Sequence, residues 1–310
     1  MKNSRVLPTY PGFTRRALTF TIDDGRIQYD KRFIDCVKPH GIKGTFNLCA
    51  HSMDYEDAFY RELYSGFGIA NHTSFHPYAM DDALEYLYLD EPYGEQEPDP
   101  VRLYPSNRGK GFYMKRFTHG WRELADNDTY RECVSTCQER LEHIFGRETV
   151  TGFVWPYSEQ NNSEIKQFLI ATGFKSVRKT GDVLDTTDFA LPADRMAWSY
   201  NANNRNFLSV MEKYEQAEDN GTLRFFAFGV HSWDFERDSN WQDLATFAEK
   251  YGDRPSDYWY ATVDEIFAYA DAMAELTVTA IEVKNPTSIP LYVELDGKRL
   301  TIPPHSSVEL

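Results

Sequence analysis

The stretch LTFTIDDGRI, residues 18–27, joins a run of alternating apolar residues to two adjacent carboxylates and a glycine. The apolar residues predict a buried strand, and Asp23 and Asp24 stand at its carboxyl end. Asp-Asp-Gly is also common turn chemistry, because aspartate bonds its own backbone and Gly25 accepts a positive φ. Whether the carboxylates form a turn or a chemical site therefore depends on what the rest of the chain places beside them.

Strand-like and helix-like segments alternate along most of the chain. The predicted strands are ALTFTI (17–22), GTFNL (44–48), GIAN (68–71), TGFVW (151–155), FKSVR (174–178), RFFAFGV (224–230) and YWYAT (258–262). Helical patterns cover about 28–38, 55–64, 127–145, 162–172, 204–218 and 240–250, and a last helix extends to about 275. This order predicts an α/β fold, a distorted (β/α) barrel of about seven parallel strands.

Two segments depart from this alternation. Residues 77–120 contain six tyrosines and five prolines, too many aromatic residues for a disordered loop. This insertion is either a cover over the substrate site or a subunit contact, which leaves a homo-oligomer possible. Residues 277–310 alternate like strands and include the hairpin pattern Asp296-Gly297. We therefore expect a barrel domain at 1–276, with an insertion at about 77–120, followed by a small C-terminal β appendage at 277–310.

The composition excludes several classes of partner. With 310 residues, 41% hydrophobic and 26% charged, the chain is typical of a globular protein. Its net charge of -15 argues against nucleic acid, which needs a basic surface. No apolar run approaches the roughly 18 residues of a membrane span, and the N-terminus lacks a secretory pattern, so we expect a cytoplasmic protein with no membrane partner. The four cysteines are expected to be reduced thiols.

Polar or aromatic clusters follow four of the predicted strands, where barrels of this kind carry their chemistry. They are Asp23-Asp24, NHTSFHP (71–77), WPY (155–157) and VHSWD (230–234). His72 and His76 are four residues apart, so on a helical turn their imidazoles would share one face and reach one ion. Histidines at this spacing also occur without a metal, but a carboxylate from another strand end favours a site. Two nitrogens and one oxygen leave a tetrahedral metal an open position for water, as in catalytic sites.

The motifs TIDDG (21–25), NHTSFHP, WPY and VHS (230–232), in this order, resemble those of the NodB-like polysaccharide deacetylases, carbohydrate esterase family 4. The resemblance covers about residues 14–275, and its first two motifs are the specific ones. It implies a hydrolase that removes acetyl groups from N-acetylated or O-acetylated sugars or polysaccharides. The implied cofactor is a divalent metal; this ligand set favours zinc, and cobalt or nickel are the alternatives.

The resemblance also implies a role for each strand-end carboxylate and histidine. The second aspartate, Asp24, binds the metal together with His72 and His76, and the first, Asp23, is the general base. His231 matches the histidine that protonates the leaving group.

The third motif and a nearby tryptophan are expected to contact the substrate. Pro156 and Tyr157 match the family positions at which the backbone N–H after the proline helps to hold the oxyanion. Trp155 and Trp233 are expected to join them as substrate-binding residues.

One departure from the family concerns the arginine that usually begins the third motif and pairs with the base. Val154 stands near that place. Arg178, at the end of the next strand, is the candidate catalytic substitute because it would lie at the same end of the barrel as Asp23. The alternative is that Arg178 is an exposed strand-end arginine. The aspartate that supports this arginine in the family has only loose matches, Asp182, Asp185 and Asp194.

Two further functions compete with the deacetylase. One is a metal-independent cyclic-amide hydrolase of the allantoinase type, whose members typically lose the full metal set. The other is a non-catalytic carbohydrate-binding protein, which the missing third-motif arginine favours.

Overall fold

The computed structural model describes residues 6–158, 161–179, 184 and 186–309. In chain order the strands are β1 (Val6–Thr9), β2 (Arg16–Asp24), β3 (Thr45–Leu48), β4 (Gly68–Asn71), β5 (Tyr78–Ala79), β6 (Leu87–Tyr88), β7 (Arg102–Pro105), β8 (Phe112–Phe117), β9 (Gly120–Ala125), β10 (Gly152–Val154), β11 (Ser176–Arg178), β12 (Arg224–His231), β13 (Trp259–Tyr260), β14 (Thr277–Val278), β15 (Glu282–Asn285), β16 (Leu291–Leu295), β17 (Lys298–Ile302) and β18 (Ser306–Glu309). The α-helices are α1 (Ile27–Val37), α2 (Asp57–Leu63), α3 (Asn127–Phe145), α4 (Ser163–Thr172), α5 (Phe207–Gln216), α6 (Asp234–Arg237), α7 (Trp241–Tyr251) and α8 (Val263–Ala274).

The central sheet is parallel and has the strand order β11-β10-β4-β3-β2-β12. Helices follow its strands, so the prediction of a distorted (β/α) barrel is confirmed. The predicted seventh strand occupies an unexpected place. β13 pairs with the start of β2, at Ala17 and Leu18, whereas β3 pairs with the end of β2 from Thr21 onward. β13 therefore extends the edge that β3 uses.

An irregular segment, residues 198–202, bridges β11 and β12. The Trp198 N–H donates to the Val177 carbonyl oxygen at 3.2 Å, and the Gly229 N–H donates to the Ala202 carbonyl oxygen at 2.8 Å. The sequence pattern predicted no element here, because WSYNA mixes polar and apolar residues without a period of two. The two outer strands are thus connected by single bridges instead of by a regular strand.

The alternation of side chains along β2 decides what faces the barrel interior. Leu18, Phe20 and Ile22 belong to the cluster between sheet and helices, where Phe20 meets Phe33 of α1 with ring centroids 4.8 Å apart. Burial of each large apolar side chain of this kind contributes about 1.5–3 kcal/mol. Thr21 faces the other way and accepts a hydrogen bond from Asn47 Nδ2 at 2.7 Å. The next inward position along β2 is Asp23.

The insertion is a folded sheet with the strand order β5-β9-β8-β7-β6. Its last strand, β9, continues to Ala125, beyond the expected end near 120. Side chains at the start of α4 attach the sheet to the barrel: Asn162 Nδ2 donates to the Met80 carbonyl oxygen at 2.7 Å, and Asp82 Oδ2 accepts from the Ser163 hydroxyl at 2.6 Å. The tyrosine-rich segment is therefore packed structure.

The C-terminal strands form two small sheets, β14-β15-β18 and β1-β16-β17, the second of which includes the N-terminal strand. The turn between β16 and β17 places Asp296 and Gly297 at φ values of 46° and 81°, as a two-residue type I′ hairpin requires. The Tyr292 N–H donates to the hydroxyl of Tyr269 in α8 at 2.9 Å, which joins this part to the barrel. Within the described residues, no helix combines the length and the apolar character needed to cross a membrane.

Candidate functional site

The two aspartates at the end of β2 differ in backbone conformation. Asp23 keeps the inward direction of Thr21 and is 5% exposed. Asp24 has a φ of 80° and Gly25 a φ of 73°, both in the left-handed region. Strict alternation would send the Asp24 side chain to the opposite face, whereas both carboxylates line one cavity. Aspartate tolerates this conformation better than most residues, so the position does not require glycine.

Asp24, His72 and His76 bring one oxygen and two nitrogens within 4.8 Å of one another. Asp24 Oδ1 is 3.8 Å from His72 Nε2 and 3.6 Å from His76 Nε2. Ligand bonds of about 2.0–2.2 Å to a common centre require donor atoms at separations of this order. The sequence predicted this set, and the structure brings it together.

The loop that carries the two histidines is not the helical turn that their spacing suggested. Thr73 and His76 have φ values of 65° and 58°, and the His76 N–H donates to the Thr73 hydroxyl at 2.9 Å. The imidazoles of His72 and His76 meet edge to face, with centroids 4.7 Å apart. A turn stabilised by its own threonine thus replaces the helix and still points both rings at Asp24.

The chemistry of His72 fits a metal ligand. Its Nδ1 lies 2.8 Å from the Val154 carbonyl oxygen, which can only accept, so Nδ1 carries the proton and Nε2 the lone pair. That Nε2 is buried and has no hydrogen-bond partner among the described residues. Burial lowers the pKa of His72, and burial together with His72 lowers the pKa of His76 to about 3. Both imidazoles are therefore neutral at neutral pH, as metal binding requires.

Asp23 is held by Arg178 and Asn47. The fully buried Arg178 donates from Nη2 to both carboxylate oxygens, at 2.6 Å to Oδ2. Asn47 Nδ2 donates to Oδ1 at 2.6 Å. Burial would raise the pKa of Asp23, but the positive charge of Arg178, with contributions from His72 and His231, outweighs it and lowers that pKa to about 2. The alternative of an exposed strand-end arginine does not hold for Arg178.

His231 ends β12 directly opposite Asp23 in the parallel register. Its Nδ1 is 3.1 Å from Asp234 Oδ2, and its Nε2 is 3.9 Å from Asp24 Oδ2. Burial lowers the pKa of His231, but the hydrogen bond with Asp234 and the charges of Asp24 and Asp23 leave it above its usual value. Trp233 stacks on this imidazole at 4.7 Å and donates from Nε1 to Asp24 Oδ2 at 3.1 Å.

The structure places only part of the third motif where substrate contacts were expected. Trp155 is 1% exposed and packs against Tyr130 and Phe153 in the core, so it does not line the cavity. Pro156 is also buried and outside the lining. An apolar ring that follows a buried strand is stabilised more by burial in the core than by exposure at the open end of the barrel. Tyr157 lines the cavity and has a φ of 64°.

An aromatic column connects the insertion to the histidines. Tyr78 stacks on Phe117 at 4.8 Å on one side and on Tyr157 at 4.1 Å on the other. The Tyr157 ring in turn meets His76 edge to face at 4.5 Å. The insertion therefore reaches the metal-ligand candidates through direct ring contacts.

The cavity has a volume of about 750 Å³. Residues of the barrel line one part of the cavity, and residues of the hairpin β8-β9 line the other. We call this hairpin the roof. The lining of the cavity consists of Asp23, Asp24, Arg26, His72, His76, Tyr78, Met114, Phe117, Thr118, His119, Trp121, Arg122, Glu123, Tyr157, His231 and Trp233.

Several of the residues that support the site escaped the sequence reasoning. Asn47 carries no motif, and only its place opposite Asp23 in the register reveals it. Asp234 lay within the quoted VHSWD stretch, and its spacing of three from His231 could have suggested the hydrogen bond. Of the candidate supporting aspartates, Asp194 accepts from the Met196 N–H in its own loop at 2.8 Å. The other two, Asp182 and Asp185, lie outside the described residues.

A buried carboxylate behind the site fixes the His231 loop. Asp30 of α1 has no exposure and accepts hydrogen bonds from the Ser232 hydroxyl at 2.5 Å and the Tyr64 hydroxyl at 2.7 Å. Because Ser232 stands between His231 and Trp233, this bond attaches both neighbours to α1. Burial raises the pKa of Asp30 to about 7, although the two hydroxyl donors act in the opposite direction.

Comparison with known proteins gives a family match over more than half of the chain. A family model described as polysaccharide deacetylase matches residues 12–177. No curated protein matches the chain.

Several solved structures match the chain at low sequence identity. A Mycobacterium smegmatis protein assigned as a polysaccharide deacetylase is 15% identical, with coverage of 88% of this chain and 97% of that chain and a TM-score of 0.50. The Xyl-CE4 domain of a multidomain xylanase from the hindgut metagenome of Trinervitermes trinervoides is 14% identical, covering 83% and 92%, with a TM-score of 0.46. A family 4 acetyl xylan esterase from Clostridium thermocellum, in complex with a cobalt ion, is 16% identical, covering 82% and 91%, with a TM-score of 0.44. The first of these supports the fold alone.

Replacing Asp30 by Asn should flatten the pH dependence of stability. The folded state binds the Asp30 proton more tightly than the unfolded chain, so this group stabilises the fold at low pH and loses that contribution as pH rises toward 7. We expect the free energy of unfolding of the wild type to fall by about 2–3 kcal/mol more than that of Asp30→Asn between pH 5 and pH 8. Urea unfolding at both pH values measures the difference. The exposed Asp243→Asn variant of α7 is the control and should follow the wild type; identical curves for Asp30→Asn and wild type would contradict the prediction.

Proposed function

This chain belongs to the polysaccharide deacetylase family, and from this premise we propose that it is a metal-dependent hydrolase of short N-acetylated, or O-acetylated, sugars. Family membership makes it a carbohydrate deacetylase whose substrate is an acetylated carbohydrate. The metal, the residue roles and the short substrate are our proposal. The observation that carries it is the buried Nε2 of His72, which has no hydrogen-bond partner in the described part of the chain and faces Asp24 and His76 beside the ionised Asp23.

Asp24, His72 and His76 would hold the metal. Two neutral imidazoles and one carboxylate suit a borderline-soft divalent cation, and we propose zinc, with cobalt or nickel as substitutes. When bound, such an ion polarises an acetyl carbonyl and makes water more acidic.

Asp23 is the proposed general base. Its carboxylate takes a proton from the attacking water while the water oxygen bonds to the acetyl carbon. The Arg178 guanidinium and the Asn47 amide fix its orientation and keep it ionised, so no side-chain rearrangement precedes proton transfer.

His231 is the proposed general acid. As the bond between the acetyl carbon and the sugar nitrogen or oxygen breaks, the imidazole donates a proton to that leaving atom, which gives acetate and the free amine or alcohol. The interaction of Asp234 with Nδ1 leaves Nε2 as the atom that faces the site. Tyr157 is proposed to offer its backbone N–H to the oxyanion, a role that its left-handed conformation next to His76 supports.

The alternatives have weaker support. The complete set of metal-ligand candidates counts against the metal-independent cyclic-amide hydrolase. The carbohydrate-binding alternative rested on the missing third-motif arginine, and Arg178 supplies a guanidinium to Asp23 from the neighbouring strand. We also propose that residues 277–310 are an appendage without a role in catalysis, since the residues that line the cavity come from the barrel and the insertion.

The insertion is proposed to limit the substrate to short sugars. Its hairpin β8-β9 closes one side of the cavity, and the stacking of Tyr78 on Phe117 and Tyr157 holds the roof against the site. Exposed faces of aromatic residues bind sugar rings. A site for a long polymer would be an open groove, which a roof would obstruct.

Replacing His76 by Ala should remove the metal. One of three proposed ligands is lost, so we expect at least a tenfold fall in bound zinc after dialysis and no measurable acetate release from N-acetylated oligosaccharides. Elemental analysis and an acetate assay check this. His119→Ala, which removes another cavity histidine outside the trio, should keep its zinc. Wild-type zinc content in His76→Ala would remove the assignment.

Replacing Asp23 by Asn should separate chemistry from metal binding. The variant keeps the three proposed ligands but cannot accept a proton, so kcat should fall by about 100-fold or more. Zinc content should stay at the wild-type level in the same preparation. Loss of zinc together with activity would instead make Asp23 a ligand.

Replacing Phe117 by Ala should weaken the roof. Loss of a stacked contact of about 0.5–1.5 kcal/mol should lower kcat/KM for an N-acetylated disaccharide by about 3-fold to 10-fold and affect a hexasaccharide less. Tyr88→Ala, an exposed site on the same sheet, is the control and should change neither rate. Equal losses on both substrates, with a change in the molecular mass of the assembly, would favour a subunit contact.

A further inference from the structure

The carboxylates that line the cavity already have cationic or histidine neighbours. Asp23 is bonded by Arg178, and Asp24 Oδ2 lies 3.8 Å from Arg26 Nε. Glu123, on the roof, accepts from Arg108 Nε at 2.7 Å. The acidic groups of the cavity therefore have cationic neighbours other than Arg122, the roof arginine that lines the cavity.

Arg122 of β9 lies in the roof and lines the cavity. Its Nη1 donates to the Trp121 carbonyl oxygen at 2.8 Å and its Nη2 to the His119 carbonyl oxygen at 3.4 Å, which fixes the guanidinium by its own hairpin. Its ring neighbour is Tyr157, with the guanidinium carbon 5.7 Å from the ring centroid. It forms no ion pair with a carboxylate of the described residues, in a chain whose net charge is -15.

A guanidinium has five N–H donors in a planar fork, and two donations to carbonyl oxygens leave the others available. Those donors match a carboxylate better than a hydroxyl, because charge-assisted, two-point contacts are the stronger ones. The Tyr157 ring is a neighbour of both Arg122, at 5.7 Å, and His76, at 4.5 Å, and on this basis we place a carboxylate bound to Arg122 one sugar unit away from the acetyl group. The cavity of about 750 Å³ has room for such a two-unit substrate.

We infer that the substrate is an acetylated acidic sugar, in which a carboxylate on the unit next to the acetylated one, as in a uronic acid, binds Arg122. This inference rests on the proposed deacetylase function and names the substrate class of the same site. Arg122 is a specificity-determining residue here, and the reacting atoms do not depend on it.

The test compares two substrates and two charge states of residue 122. The substrates are an N-acetylated disaccharide with a uronic acid as the neighbouring unit and the same disaccharide with that carboxyl reduced to a primary alcohol. The zinc-loaded wild type should hydrolyse the acidic substrate with a kcat/KM at least tenfold higher, and added NaCl should reduce this preference.

Arg122→Gln should lower kcat/KM for the acidic substrate by about 10-fold to 100-fold, mainly through KM, and lower it for the neutral substrate by less than about 3-fold. Arg122→Lys keeps the charge but loses the fork and should retain part of the preference. Arg116→Gln is the matched control, since Arg116 belongs to the same hairpin, donates to the Gln96 carbonyl oxygen and does not line the cavity.

Equal wild-type rates on the two substrates, or an equal loss on both in Arg122→Gln, would overturn the inference and leave the deacetylase function intact. If Arg122→Gln fails to fold, the wild-type preference and Arg122→Lys still decide. Absence of acetate from both substrates, and from other acetylated oligosaccharides, with zinc bound would overturn the proposed function itself.

Discussion

The ion pair between Arg178 and Asp23 is the interaction on which the geometry of the site depends. It joins the carboxyl ends of β11 and β2, which are separated by three strands in the sheet, so it spans the barrel interior. Arg178 has no solvent exposure, and a buried guanidinium without a partner costs several kcal/mol. Asp23 therefore cannot turn away without leaving that charge unpaired. The pair orients the carboxylate before substrate arrives, which is the preorganisation that a general base requires.

The same ion pair explains how the chain departs from the family motif without losing the site. Val154 stands near the place of the usual arginine, and the parallel register sets Val154 of β10 directly opposite Arg178 of β11. Neighbouring residues in register lie at one level of the barrel, about 4.8 Å apart. An arginine side chain is long enough to make up that distance, so the guanidinium reaches Asp23 from the next strand. Asp23 thus receives a guanidinium from β11, while the corresponding place on β10 holds Val154.

The sequence predicted the elements that a regular period produces and the site residues that follow them. Buried alternation ended at Asp23, and the missing third-motif arginine together with a strand-end position suggested Arg178. It did not predict the irregular segment 198–202, because single bridges need no period in the sequence. The turn around His76 escaped for a similar reason, since its left-handed residues are selected by contacts with Asp24 and Thr73. Asn47 is visible only once the register is known.

The roof is connected to the site by stacking, and this limits how the two can move. Tyr78 lies between Phe117 of the roof and Tyr157 of the third motif, and the Tyr157 ring touches His76. Moving the roof would break ring contacts of about 0.5–1.5 kcal/mol each. It would also disturb His76 and Tyr157, which both have positive φ values. Asn162 and Asp82 add hydrogen bonds at the base of the insertion. On the proposed function, the insertion is a wall of the cavity held in place by these contacts, and substrate choice depends on the shape and charge of the cavity.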